Sequence, residues 1–261
     1  MNMRKMLILL TILVLSAGVV FAAPLKGMSL NGATGLISIP TGRIGWERTA
    51  DIGLDFGYHA IIDDDTVSIP KATISLFKIA ELGFAYDMAN YADDSEDLLL
   101  HGKIQLPLKG ASAVAIGGNH QILQENNVDS DSVTQIYLAA TYPGTFFDMP
   151  AETTVVVGKS FIEDQDNDNI DFGMGFDLLL FPDIFQGYIH WINDFSNFSY
   201  SAQAYAANAG FRGVFNSGIR IDLASIPAFS KYKFAVDAIM TDALDENRAF
   251  SLGVAFGLPV G

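Results

Sequence analysis

Four stretches of this chain alternate, residue by residue, between large apolar groups and small or acidic ones. In "DIGLDFGYH", Ile52, Leu54, Phe56 and Tyr58 fall on one face and Asp51, Gly53, Asp55 and Gly57 on the other. "ELGFAYDMANY" opposes Leu82, Phe84, Tyr86 and Met88 to Glu81, Gly83, Ala85 and Asp87. "IDFGMGFDLLL" and "AFSLGVAFGLP" do the same, setting Phe172, Met174 and Phe176 against Asp171, Gly173 and Asp177, then Phe250 to Leu258 against Ser251 to Gly257. A period of two belongs to an extended strand. The runs last about ten residues, against the five or six usual in soluble sheets. That is the length a tilted strand needs to cross a bilayer.

The chemistry of the two faces says which way they point. A soluble sandwich turns its large residues inward and shows lysine, threonine and glutamate to water. Here the second face is glycine, alanine, serine and aspartate, as in the crowded polar lumen of a barrel whose large face meets lipid. A soluble lipocalin-like barrel inverts that arrangement and is the alternative. Composition fits the membrane reading: 50% of residues are hydrophobic and only 17% charged, yet acid outnumbers base by 30 to 15. Apolar and acidic groups must therefore be spatially segregated. The negative charge also argues against nucleic acid as a partner, because phosphates would be repelled.

Strands read at 50–58, 67–78, 82–90, 97–106, 111–120, 133–142, 152–161, 170–180, 185–193, 213–223, 231–240 and 249–258 predict a single antiparallel transmembrane β-barrel of about 12 strands. Almost every second connection is acidic ("HAIIDDDT", "YADDSED", "QENNVDSDS", "EDQDNDN", "TDALDENR"). The intervening ones are short or carry Pro107, Pro143, Pro150, Pro182 or Pro227. Outer loops and tight periplasmic turns alternate in this way. Residues 197–215 read as outer loop or irregular strand extension. An alternative of 14 strands takes an extra strand from 197–215 and adds residues 32–39 as another.

The N-terminus supplies the address. Arg4 and Lys5 precede the apolar run "MLILLTILVLSAGVV", and "VFA" before Ala23 offers a small-residue cleavage site. This predicts a cleaved signal peptide over 1–22, with an uncleaved anchor as the alternative. Loss of two cations leaves 13 basic against 30 acidic side chains in the mature chain. The organisation expected is a signal peptide (1–22), an N-terminal lead-in segment (23–48) and an outer-membrane barrel (49–261). With no cysteine, neither lipid attachment at cysteine nor a disulfide framework is open to it.

Candidate chemistry is sparse. "EDQDNDN" places Asp164, Asp166 and Asp168 at alternate positions, but the sixth and twelfth places of a calcium loop hold Asn169 and Gly175 rather than glycine and glutamate. The acidic outer loops are thus candidates for weak divalent-cation binding and not for a defined metal site. His59, His101, His120 and His190 lack metal-pair spacing. His120, in "GGNH", has no nucleophile motif beside it. No catalytic residue and no cofactor are expected. The lumen is predicted to hold a charge network of Asp51, Asp55, Asp87, Asp171, Asp177, Asp222 and Asp237 with Lys103, Lys159, Arg220 and Lys233. It serves either as a closed, salt-bridged interior or as an acid-rich passage favouring cations.

"NGATGLISIPTGRI" stands before the first strand. Its glycines allow tight turns or close backbone approach, and Pro40 ends regular pairing. It lacks the lysine of a phosphate loop. The expectation is a segment packing into or against the periplasmic mouth, with Arg43 and Arg48 pairing lumen aspartates; a mere half-strand is the alternative. Through Thr34, Gly35, Leu36, Pro40, Thr41 and Arg43, "TGLISIPTGRI" resembles the Thr-Gly-(Leu/Ile)-x-x-(Thr/Met)-Pro-(Thr/Ser)-Ala-Arg motif of YjbH-like bacterial outer-membrane β-barrels. Gly42 replaces the usual alanine. "RGVFNSGIRIDL" is similar to a second strand of that group through Asn216, Gly218, Ile219 and Arg220. Members are generally much longer, and this chain ends on Gly261 rather than an aromatic residue. The resemblance implies an outer-membrane location and a link to exopolysaccharide. The function expected is a non-enzymatic outer-membrane barrel, structural or a narrow pore, for surface polysaccharide or small-solute passage, with outer-membrane lipid as its partner. A soluble ligand-binding barrel is the alternative.

Overall fold

The computed structural model describes residues 27–47, 50–63, 66–89, 95–124, 132–162, 168–198, 213–226, 229, 231–245 and 248–260. The expected signal peptide, Arg48, Asp164, Asp166 and much of the acidic loops lie outside them. Twelve strands close into one barrel: β1 (Ile52–Ile62), β2 (Thr66–Leu76), β3 (Ala80–Ala89), β4 (Ser95–Gln105), β5 (Ala113–Gln124), β6 (Ser132–Phe146), β7 (Met149–Ile162), β8 (Asp171–Leu179), β9 (Ile189–Ser196), β10 (Val214–Asp222), β11 (Lys233–Thr241) and β12 (Ala249–Pro259). Each pairs antiparallel with its sequence neighbours, and β1 pairs with β12 from Gly53↔Pro259 to Ile62↔Phe250. Closure leaves no edge strand exposed. A short helix, α1 (Pro182–Phe185), and a 3-10 turn (Leu223–Ser225) sit in two of the connections at the rim that carries the short turns.

The predicted strands match this order, with differences at their ends. Residues 143–150, expected as a connection, are mostly strand: Pro143 faces Glu152 and Thr145 faces Pro150. Only Phe147 and Asp148 turn, with φ of 48° and 61°, as a two-residue hairpin of the primed kind demands. The 14-strand alternative fails because residues 32–39 join no strand. They form only the isolated bridges Met28↔Thr34 and Gly35↔Pro40.

The outward face is the greasy one. Phe56 is 49% exposed and Phe84 44%, where a soluble inverted barrel would bury both. Leu82, Ile104, Ile116, Ile136, Leu252 and Val254 continue the apolar belt, which is the surface a hydrocarbon phase covers. Near the short-turn rim Phe146 contacts Phe147 and Phe176, and Phe176 contacts Trp191 edge-on at 5.5 Å. Tyr232 stacks on Phe256 nearby in the same rim. Aromatic groups of this kind settle at the boundary between headgroups and acyl chains.

Two charges expected in the lumen are elsewhere. Asp51 precedes β1 at the rim, its side chain 80% exposed, and pairs with Lys78 at 3.1 Å. Lys159 lies opposite outward-facing Ile136 on β6, and its Nζ donates to the Asn169 carbonyl at 3.1 Å. Alternation explains both. Asp51 falls before the ladder begins, and Glu152, Thr154 and Val156 are the inward residues of β7, so the odd-numbered Lys159 faces out.

Candidate functional site: a lumen filled by the N-terminal segment

Residues 27–47 lie inside the barrel, deeper than the mouth packing expected from sequence; nearly all are buried. At mid-height Leu36, Ile37 and Ile39 meet inward side chains of the wall, among them Ile69, Leu99, Tyr137, Val156, Ile192 and Ile239. The lumen is therefore not uniformly polar. It has an apolar centre built jointly by plug and wall, where each buried aliphatic side chain contributes roughly 1.5–3 kcal/mol.

Seven backbone bonds run within the plug, among them Ser29 N to Ala33 O, Leu30 N to Ile37 O, Gly35 N to Gly27 O and Thr41 N to Thr34 O. Its remaining polar groups turn to the wall, because buried N–H and C=O groups need partners. Three consecutive amides, Ile37, Ser38 and Ile39, donate to Asp194 Oδ2 at 2.9, 2.6 and 3.1 Å. The Ser38 hydroxyl and Asn216 Nδ2 donate to Asp194 Oδ1. This nest of donors around one carboxylate is an anion site whose anion belongs to the wall.

The predicted motif residues all take part. Thr34 N donates to Glu81 Oε1 at 2.8 Å, while its carbonyl accepts from Lys103 Nζ at 2.7 Å. Gly35 and Leu36 offer carbonyls to the Arg220 guanidinium, both at 3.2 Å. A Cβ on Gly35 would stand 2.5 Å from Ile39 O, so only glycine fits. Pro40 closes that turn as Gly35's bridge partner. Arg43 pairs with glutamates rather than the expected aspartates: its Nε donates to Glu152 Oε2 at 2.9 Å, its second arm lies 2.5 Å from Oε1, and Nη1 reaches Glu47 at 2.9 Å. Burial opposes this charge, but Glu152 and then Glu47 beside it hold the guanidinium above its ordinary value.

Inside the lumen Asp55, Asp177 and Asp237 lie in pairs with Lys233, His190 and Arg220. Lys233 pairs with Asp55 at 2.9 Å and lies over the Trp46 ring at 4.7 Å, while the Trp46 indole N–H donates to the same carboxylate. Arg220 forks onto Asp237 through two bonds of 2.8 Å, with His59 Nε2 3.6 Å from the second oxygen. Lys103 pairs with Glu81 at 3.1 Å. Asp177 meets His190 Nδ1 at 2.6 Å, and Asp171 accepts from Gln135 and Ser160. Asp87 faces Asp97 across β3 and β4. Asp222 caps the 3-10 turn by accepting from Ala224 N. His120 points outward and pairs with Thr134.

Sequence reasoning leaves out Asp194, Glu152, Lys71 and Trp46. For Asp194 a signal exists, because it continues the inward series begun by His190 and Ile192. Beyond the expected pairing of Arg43 with lumen aspartates, nothing in the pattern reveals that residues 28–46 supply partners for Asp194 and Lys71.

No protein-family model matches the chain, and no curated protein matches it in sequence. Among solved structures, the barrel is similar to a KdgM porin, at 7% identity and a TM-score of 0.50, over 79% of this chain and 99% of that one. A second KdgM porin structure, in complex with disordered oligogalacturonate, gives the same values. The outer membrane protein Omp33 of Acinetobacter baumannii aligns over 81% of this chain and 98% of its own at 11% identity and a TM-score of 0.44. The KdgM likeness is one of fold: a closed outer-membrane-type β-barrel.

Proposed function

We propose that this protein is a non-enzymatic outer-membrane β-barrel, shut at rest by its own N-terminal segment, which passes small solutes when that segment moves aside. One observation carries this reading: residues 27–47 occupy the lumen and bind wall side chains, adding no strand to the barrel. A purely structural barrel could fill its interior with its own wall side chains, as small barrels do. Here the filling is a separate stretch of chain that can leave without breaking a single strand ladder.

Kinship with YjbH-like barrels, and through it a role in surface polysaccharide, belongs to the same proposal. It is supported by the motif Thr34, Gly35, Pro40 and Arg43, all of which touch the wall or shape the plug. The oligogalacturonate bound by a KdgM porin is a chain of carboxylates. The acid-rich wall here disfavours such a solute and supports the small-solute reading.

Single-channel recording on residues 23–261 in planar bilayers tests the proposal. The intact chain is expected to stay silent for most of the record, with discrete steps emerging once the plug is loosened. Sustained large steps from the intact chain, equal to those of a loosened variant, would show that the plug does not close the lumen.

A further inference from the structure

Three of the wall's lysines and arginines are already matched by carboxylates of the wall itself: Lys233 by Asp55, Lys103 by Glu81 and Arg220 by Asp237. A fourth, Lys71, donates to the plug carbonyl of Ser29 at 2.6 Å. Glu152 on β7 and Asp194 on β9 are answered by the plug instead, while Asp177 on β8 between them has His190 of the wall. Glu152 lies directly across from Asp177 in the β7–β8 register. Asp194 lies opposite Gly175 in the β8–β9 register, one inward position further along from Asp177. These three carboxylates form a row over three adjacent strands.

The groups now seated on that row carry positive charge or donor ends. Arg43 of the plug forks onto Glu152, and the amides of residues 37–39 converge on Asp194. The guanidinium is in effect a resident cation, tethered to the chain. Its place beside Glu152 is independent of the acid count and shows what the row accepts.

Resting on the displaceable-plug reading, we infer that the passage opened by plug movement favours small cations, and that the row Glu152, Asp177 and Asp194 carries the preference. When the plug leaves, its donors leave with it, and among the described residues Asn216 and His190 of the wall stay bonded to Asp194 and Asp177. Carboxylates lining a low-dielectric wall concentrate cations and repel anions.

The test uses full-chain variants that loosen the plug and leave every wall charge in place. Gly42→Leu is the stronger, because a Cβ there would meet Ala113 O at 2.4 Å and Ala139 O at 2.9 Å, both backbone atoms. Arg43→Gln is milder and keeps the fold where the first does not. Folding is checked by heat-modifiable mobility. Reversal potentials in a KCl gradient are expected to give a potassium-over-chloride permeability ratio of at least about five. Adding Glu152→Gln and Asp194→Asn is expected to cut that ratio at least about twofold. Steps with no preference or an anion preference overturn this inference and leave the plug reading standing, as does a ratio that the two neutralisations do not change. Silence from both folded variants overturns the plug reading itself, and this inference with it.

Discussion

Strand β1 and the plug are neighbours in the chain, and they satisfy their backbones in opposite ways. β1 is laddered on both sides along most of its length, to β2 and to β12. Its bonds are backbone to backbone, so almost any residues that keep the alternation preserve them. The plug has seven scattered internal bonds and no ladder, and it hands further amides and carbonyls to named wall side chains such as Asp194, Glu81, Lys103 and Arg220. A ladder is robust to substitution and a side-chain cradle is not. Sensitivity to single changes should therefore concentrate where plug and wall meet.

The sharpest way to break that comparison is Asp194→Ala. It strands three plug amides and the Ser38 hydroxyl at once, and each buried orphan costs roughly 1–3 kcal/mol. The expected loss is at least about 4 kcal/mol, read from urea unfolding of the detergent-folded barrel. A loss under about 0.5 kcal/mol would mean that the plug is not held by this carboxylate. On the wall's other face, Val254→Arg puts a charge into the apolar belt, where Val254 is 47% exposed. In lipid vesicles that change should cost about 2–4 kcal/mol, and much less in detergent micelles that deform around it. Equal effects in both would argue that Val254 does not face hydrocarbon.

The same contrast explains what was legible in the sequence. Alternation marks strands because each one needs only its own period, so the twelve elements and the outward set of Phe56, Phe84 and Leu252 can be read without a partner. Acidic and proline-bearing connections gave the order of the hairpins for the same local reason. The lumen charges on Asp55, Lys103, Arg220 and Asp237 are legible as inward residues, but their pairing is not: Lys103–Glu81 and Arg220–Asp237 need the exact register of neighbouring strands, and Asp55–Lys233 needs the closure of the barrel. The apolar centre was hidden as well: Ile69, Leu99 and Ile192 sit at inward positions that a polar lumen would not use, and only the plug's Leu36, Ile37 and Ile39 make sense of them. Pro143 and Pro150 read as turn residues because proline usually ends pairing, whereas the rim of a barrel tolerates it.

A finer probe of the plug–wall joint is Arg43→Lys. The charge survives, but a single ammonium cannot reproduce the fork onto Glu152 together with the bonds to Glu47 and the Ala111 carbonyl. The expected cost is about 1–2 kcal/mol in urea unfolding, with brief channel openings becoming more frequent. An unchanged midpoint and an unchanged record would reduce the guanidinium to a space-filler.

The smallest effect is expected from Lys159→Ala, and its smallness is the point. From sequence, Lys159 is expected in the interior network, although the alternation of β7 points it outward. Had it been so, removing it would abandon a buried carboxylate and cost about 3–5 kcal/mol. Its place on the outward side of β7, donating to the Asn169 carbonyl at the loop rim, predicts a change within about 0.5 kcal/mol. It also predicts no effect on conductance or ion preference in the Gly42→Leu background. A large loss of stability would move Lys159 back into the lumen, reverse the inward and outward sets of β7 and dislodge Glu152 from the row that faces the plug. One outward-facing lysine thus checks the register of the strand that holds Arg43's partner.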